Sequence, residues 1–482
     1  MKCVTLIKKK NKQNLFLFFI FISISFFFYK GRLGGDDLQA FNFAYDLIYK
    51  FNFNLFELLK EDNSLWQFSH RKIWILQNIL IIIFVKFISV FFNFDIISVS
   101  QYLCGLIITF YTVVSFFLFY KILTKNKINN ELSLFISISV FFGTSLISFF
   151  TGAYIESFVI FIVLLRYLVD GEKSKIFFDS LLVLIKPYYI IVIICLLYND
   201  QSINKKFIKH LFIVGLVIFV DKLLTLGAFQ NFVTTLPYNF EFDFIIKNIL
   251  DTFFSPGFGT FFTSSILMVL IIFGLNSKTL IKLFLLFIFI LFLSTLTFWH
   301  GQSPGNRYLL STLFIFVPEI INSIKKLKNY KIFLIFALVI TILNLPSLEF
   351  RNTNIKNFSD QAVHTGLVLG VSDRDINAFP NNNYRFNNII FSQEIFLNKI
   401  LNNNDKEINI NQYNFLIKDV YPMTGFKRVI FILENDLNFL EIKKILIYKK
   451  KIILLFKILY FLTIILFIFQ ILRLFLMLIN NK

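Results

Sequence analysis

Apolar runs separated by short polar or lysine-rich segments repeat along most of the chain, from 15–29 to 452–478. Several of these runs reach the roughly 17 to 25 residues that cross a bilayer as a helix. Between about 347 and 451 the pattern changes to Asn, Asp and Lys with short apolar runs, such as 429–433. The chain is therefore predicted to be an all-α polytopic membrane protein of about 12 transmembrane helices, with a small α/β domain before the last helix.

The same change of pattern divides the chain into three predicted parts. Residues 1–346 are expected to form the transmembrane domain, and residues 347–451 a small extracytoplasmic domain. Residues 452–482 are expected to form a C-terminal transmembrane helix, which returns the chain to the cytoplasm.

The positions of the lysines predict the orientation of the chain. Cytoplasmic loops carry an excess of Lys and Arg, and a lysine cluster at 8–12 precedes the first apolar run. The N-terminus is therefore expected to be cytoplasmic, in a multi-pass protein of the cell (inner) membrane. This start resembles a signal peptide, but no small-residue cleavage site precedes Lys30, so we expect a retained helix.

The neighbouring runs at 73–92 and 96–120 do not both fit this orientation. If both crossed the membrane, the cluster Lys121, Lys125 and Lys127 would lie outside, against the charge bias. We therefore expect residues 73–92 to lie in the interface and residues 96–120 to cross once.

The run at 176–198 contains Lys186-Pro187 near its middle. Proline disfavours helical geometry in the residue before it, and a lysine in the middle of a single spanning helix would be costly. Two short half-spans that meet at an outer Lys186 are therefore predicted.

Composition supports the membrane class and excludes others. Only 16% of the 482 residues are charged, against about 25% in soluble domains. The net charge of +19 comes from lysines that cluster at the ends of apolar runs, so no nucleic-acid partner is expected. The three cysteines are scattered singly and indicate neither a disulfide framework nor a zinc motif.

The stretch Gly31 to Phe41, GRLGGDDLQAF, is the strongest candidate for chemistry. It follows the first apolar run and carries Asp36 and Asp37. Acidic side chains are costly near hydrocarbon and tend to be kept there for a function, although a solvated turn that ends a helix is the structural alternative. Four further ionisable residues fall at outer helix ends in the same topology: Glu156, Lys186, His300 and Arg307.

Five outer segments, by their order and side, resemble the GT-C superfamily of integral-membrane glycosyltransferases, which includes protein O-mannosyltransferases and lipid A aminoarabinose transferases. The resemblance covers roughly Leu15 to Pro346. The segments are Asp36-Asp37, Tyr154-Ile155-Glu156, Lys186-Pro187, Ser255-Pro256-Gly257-Phe258-Gly259 and Gly305-Asn306-Arg307-Tyr308-Leu309. The resemblance implies a GT-C-like fold and a catalytic acid in the first outer loop.

Sugar transfer from a lipid phosphate needs a base that takes a proton from the acceptor hydroxyl and positive charge that stabilises the departing phosphate. The candidate catalytic residues are Asp36, Asp37 and Glu156. The candidate residues for binding the donor phosphate are Lys186, His300, Arg307 and Tyr308. The cofactor requirement is open, with a divalent metal ion held by Asp36 and Glu156 as one alternative.

Several of these residues also have a structural interpretation. Lys186 and Arg307 are placed where long side chains snorkel from helix ends, Glu156 where an ion pair is common, and His300 where an interfacial anchor is common. The other histidines, His70, His210 and His364, have no partner spacing and are expected to be structural or to lie on the surface.

These observations predict an enzyme that moves a sugar from a polyprenyl-phosphate donor to a lipid, glycan or protein acceptor at the outer face of the membrane. One alternative is a glycan polymerase or ligase with a diphosphate-linked donor, in which Arg and His would dominate. Another is a lipid or solute transporter, for which paired half repeats are typical, and no internal repeat is visible.

Overall fold

The structure is a computed structural model, and its described residues lie mainly in the first 344 positions. It describes residues 36–59, 64–91, 96–150, 155–200, 205–224, 240–254, 260–276, 279–295, 307–326, 330–344, 407–410 and 413–416, and single positions at 469, 472, 475, 476 and 479.

The described part is built mainly of α-helices. In chain order they are α1 (Asp36–Tyr49), α2 (Leu55–Leu58), α3 (Ser64–Ser89), α4 (Ile96–Lys125), α5 (Asn130–Phe142), α6 (Ile155–Leu168), α7 (Glu172–Ile185), α8 (Ile190–Asp200), α9 (Lys205–Leu224), α10 (Phe242–Phe254), α11 (Thr260–Thr263), α12 (Ser265–Gly274), α13 (Thr279–Ser294), α14 (Arg307–Thr312), α15 (Val317–Lys326) and α16 (Tyr330–Asn344). Short 3₁₀ segments occur at Ser145–Phe150, Pro187–Tyr189 and Leu313–Phe316.

Three helix pairs form the centre of the packing: α4 with α6, α1 with α3, and α12 with α15. Aromatic side chains fill the space between helices: the Phe314 ring lies 6.0 Å from Phe119 and 5.9 Å from Phe141, in edge-on and tilted geometries. The α12–α15 approach is close because of Gly274, where a Cβ atom would meet the backbone oxygen of Glu319 at 1.9 Å. Only glycine fits at that crossing.

Among the described residues, three helical segments are long and apolar enough to cross a membrane: Arg71–Ser89, Val99–Lys125 and Tyr308–Lys326. Shorter apolar helices occur at Asn130–Phe142, Pro187–Asp200, Ser265–Gly274, Thr279–Ser294 and Lys331–Thr341. Large apolar side chains are exposed at helical spacing along α9, as expected for a surface that faces lipid: Ile208, Phe212, Leu216, Phe219 and Leu223. A mostly helical described part with helices suited to a membrane is confirmed, whereas about 12 spans and a GT-C-like fold remain predictions.

The break at Lys186-Pro187 is confirmed. Helix α7 ends at Ile185, Lys186 is extended with φ −152° and ψ 125°, and α8 begins at Ile190. Asp200 at the end of α8 lies 3.0 Å from Lys175 near the start of α7. The two helices therefore form an antiparallel hairpin with Lys186 at its tip.

The apolar run at 132–150 is divided in the structure. Helix α5 ends at Phe142, and a 3₁₀ segment follows at Ser145–Phe150. Gly143 lies at the division, where a Cβ atom would come within 2.4 Å of Ile266 on α12. The close contact with α12 explains a glycine there.

Helix α3 contains most of the run at 73–92 that we expect to lie in the interface. Its backbone is kinked at Arg71, and the part from Arg71 to Ser89 has the length and composition of a spanning helix. Length and composition do not decide between the two placements, so the interfacial position stays a prediction.

Cysteine labelling tests this placement. In a background with Cys3, Cys104 and Cys195 replaced by Ala, single cysteines at positions 63 and 93, which flank α3, are expected to react from the same side of the membrane, because α3 then lies in the interface and does not cross. Reaction of the two from opposite sides would mean that α3 crosses, and the orientation of the helices after it would invert.

The predicted extracytoplasmic domain at 347–451 lies almost entirely outside the described residues. Two short antiparallel strands are described there, β1 (Glu407–Ile410) and β2 (Tyr413–Leu416), with Glu407 opposite Leu416. The proposed division into three parts stays a prediction.

Candidate active site

Glu156 and Lys186, which lie on separate apolar runs, form an ion pair. The Lys186 Nζ donates a hydrogen bond of 3.2 Å to Glu156 Oε1. Glu156 is completely buried and is the second residue of α6, where the helix dipole favours a carboxylate. Pro187 excludes helical geometry at Lys186, and this places the lysine at the tip of the α7–α8 hairpin.

Tyrosine rings surround the Lys186 ammonium on its other sides. Its Nζ lies 4.4 Å from the ring centroid of Tyr308 and 5.7 Å from that of Tyr188. Both distances allow cation–π attraction. The adjacent Tyr189 is buried, and its hydroxyl lies 3.3 Å from Ser311 Oγ. Three of the residues selected from sequence, Glu156, Lys186 and Tyr308, are therefore in one cluster.

Arg307 begins helix α14, directly before Tyr308. Helix α14 packs against α6, the helix of Glu156. The structure thus places the backbone of Arg307 at the edge of the cluster, and the phosphate-binding role of its side chain stays a prediction.

Asp36 and Asp37 are the first two residues of α1. Helix α1 packs along α3, and its last residue, Tyr49, lies under Lys86, with 4.7 Å from Nζ to the ring centroid. Since Lys86 is near the end of α3, α1 must run parallel to α3. At about 1.5 Å per residue, the backbone of Asp36 then lies level with the start of the straight part of α3, near Ile73.

His300 lies outside the described residues, so its predicted role remains untested. Within the described ranges no three His, Cys, Asp or Glu side chains are grouped as metal ligands. Glu156 contacts the Lys186 ammonium in the described part of the chain. The metal site formed by Asp36 and Glu156 stays a prediction.

Sequence reasoning missed a second buried cluster, centred on Arg166. The Arg166 Nε donates a 2.7 Å hydrogen bond to Asp179 Oδ1, and Nη1 lies 2.9 Å from Asp200 Oδ2. His210 Nε2 lies 2.9 Å from Asp179 Oδ2. Arg166 and Asp179 are completely buried, and His210 nearly so. His210 is thus a structural histidine with an acidic partner.

Two further ion pairs connect helices that are distant in sequence. Lys282 on α13 pairs with Glu319 on α15 at 2.5 Å, both almost fully buried. Lys72 on α3 pairs with Asp221 on α9. The available sequence signal was the presence of ionisable residues inside apolar runs, which are costly unless paired.

The two larger clusters differ in what they offer a ligand. The Arg166 side chain is 0% exposed and lies between two carboxylates, so it is closed to an external anion. Lys186 is 23% exposed, and a lysine ammonium has three donors. An anion that reaches this cluster can therefore accept a hydrogen bond from Lys186 in addition to the one given to Glu156.

In comparisons with known proteins, no family model, no curated protein and no solved structure matches the chain.

Proposed function

We propose that this protein is a membrane glycosyltransferase of the GT-C type, which moves a sugar from a polyprenyl-phosphate donor to a lipid, glycan or protein acceptor at the outer face of the membrane. The observation that carries the proposal is the Glu156–Lys186–Tyr308 cluster. It brings a buried acid and a partly exposed cation together from three separate segments of a helical, apolar chain.

Lys186 is the group that holds the donor phosphate. Its ammonium is positioned by Glu156 and by the Tyr308 ring, so little ordering is needed when an anion binds. Arg307, at the start of the helix that carries Tyr308, supplies a planar fork of donors for phosphate oxygens. These cations stabilise the negative charge that grows on the phosphate as it leaves.

Asp36 is the base. As the acceptor oxygen bonds to the anomeric carbon, the bond from that carbon to the phosphate oxygen breaks, and the phosphate leaves with the electron pair. The proton of the acceptor hydroxyl passes to the Asp36 carboxylate, which must lie within hydrogen-bond reach, roughly 2.6 to 3.2 Å. Glu156 keeps Lys186 in place through these steps and takes no proton.

A transfer assay tests the proposal. The full-length protein in phospholipid vesicles is given labelled sugars on polyprenyl phosphate, with membrane lipids, glycans and proteins as acceptors. Label is expected to move to an acceptor, and Lys186→Gln is expected to raise the KM for the donor about 10-fold or more, since hydrogen bonds to charged groups are the stronger class.

Lys125→Gln is the matched control, because Lys125 is exposed and its nearest carboxylate, Asp170, is 3.8 Å away. It should leave donor KM unchanged. Transfer only from diphosphate-linked sugars would favour a polymerase or ligase. Movement of lipid or solute across the vesicle without any transfer would favour a transporter, and both results would overturn the proposal.

A further inference from the structure

Three neighbouring polar side chains on α3 have buried atoms that no described residue satisfies. Trp74 and Asn78 are one helical turn apart and 5% and 3% exposed, and Gln77 lies beside them. In the described part of the chain, Trp74 Nε1, Gln77 Nε2 and Asn78 Oδ1 have no hydrogen-bond partner. Because buried polar atoms are nearly always paired, three such atoms on one turn point to a ligand.

The chemistry of these atoms identifies the class of ligand. The indole N–H of Trp74 and the amide N–H of Gln77 are donors, and Asn78 Oδ1 is an acceptor. Gln77 Oε1 accepts a 2.9 Å hydrogen bond from the Tyr111 hydroxyl, which leaves Nε2 as the amide atom without a partner among the described residues. A group that both accepts and donates is needed, which fits the hydroxyls of a sugar and fits neither a phosphate nor a hydrocarbon chain.

Tyr111 connects this turn to α6, the helix that carries Glu156. The ring of Tyr111, whose hydroxyl holds Gln77, packs 4.8 Å from the ring of Phe158. Phe158 is on α6, two positions after Glu156. The parallel packing of α1 on α3 also brings the start of α1, with Asp36, level with Trp74.

We propose that Trp74, Gln77 and Asn78 bind hydroxyl groups of a sugar ring next to the reacting centre. The assignment rests on the proposed function for its place in the reaction, although binding itself can be measured without turnover. The sugar is that of the donor or that of a glycan acceptor, and the two sources share this chemistry.

Binding and kinetics are measured on the full-length protein in phospholipid nanodiscs that contain no sugar-based detergent. Trp74→Phe removes the N–H donor together with one fused ring of the side chain, and Asn78→Leu removes the acceptor and the amide donor at similar volume. Each is expected to raise one sugar KM by about 3- to 10-fold, the range for one neutral hydrogen bond. A higher donor KM identifies the donor sugar, and a higher acceptor KM identifies the acceptor.

Two readouts separate this role from a structural one. Without ligand, Asn78→Leu should unfold at the same temperature as the unmodified protein or higher, because replacing an unsatisfied buried polar atom by an apolar one is not destabilising. Trp74→Phe also leaves a small cavity, so a modest fall in its unfolding temperature is expected. Asn248→Leu is the matched control: Asn248 is buried and donates to the Ser294 backbone oxygen at 2.9 Å. It should lower the unfolding temperature and leave both KM values unchanged.

Direct binding keeps the inference independent of the transfer assay. Octyl hexosides below their micelle concentration are expected to change tryptophan emission, and Trp74→Phe should abolish the change. That result with no sugar transfer would support the subsite and contradict the proposed function. Two results would overturn the subsite: sugar transfer with unchanged KM values in both variants, or an emission change that persists in Trp74→Phe. Water would then be the partner of these atoms.

Discussion

Replacing Asp36 by Asn is expected to lower sugar transfer by about 10²- to 10⁴-fold, the usual contribution of a general base. Asn is close to Asp in size but takes up no proton at neutral pH. Asp36 is the first residue of α1, and both residue types are accepted at a helix start. The amount of protein in the membrane and its unfolding temperature should therefore stay the same.

Asp37→Asn is tested beside it, and we expect the smaller loss there. The matched control is Asp46→Asn, the same chemical change on the same helix, about 15 Å further along it. The measurement is the initial rate of label transfer at saturating donor. Full activity in both Asp36→Asn and Asp37→Asn would remove the pair from the mechanism, and an equal loss in Asp46→Asn would indicate damage to α1 instead.

The Glu156–Lys186 contact is the part of the site that sequence reasoning approached most closely. Pro187 sets the backbone at Lys186 by a local steric rule, and the position of Glu156 at a helix start has a local electrostatic reason. The prediction that both residues lie at outer helix ends required only that successive spans cross the membrane in alternating directions. The contact itself, and the tyrosines around it, depend on how the helices are rotated.

The Arg166 cluster could not be predicted from the order of apolar runs, for the same reason. Its members lie on α6, α7, α8 and α9. They contact one another only because each of these four helices is rotated so that its charged residue faces the others. Hydropathy identifies apolar runs but not which side of a run faces a neighbour. For the same reason, the apolar pattern of the run at 73–92 did not predict that Trp74 and Asn78 share a buried face of α3.

Removing the Asp179 carboxylate is expected to destabilise the fold strongly. Asp179→Leu leaves the completely buried Arg166 with Asp200 as its remaining acid and leaves His210 without its carboxylate partner. Breaking a buried ion pair by deleting one partner costs about 3–5 kcal/mol, so the unfolding midpoint in lipid nanodiscs should fall clearly. The surface change Asp170→Asn is the control, since Asp170 is exposed, and no measurable shift is expected.

The double variant Arg166→Met/Asp179→Leu distinguishes an ion-pair effect from a packing effect. Replacing a buried pair by apolar residues of similar volume is often neutral, so the double variant should recover much of the stability that Asp179→Leu loses. A midpoint for the double variant equal to or below that of Asp179→Leu would mean that the shape of the site, rather than its charge, sets the loss. Because the Arg166 cluster is closed to ligands, the donor KM of the double variant should match that of the unmodified protein. An unchanged KM would distinguish this stabilising cluster from the donor-binding cluster at Lys186.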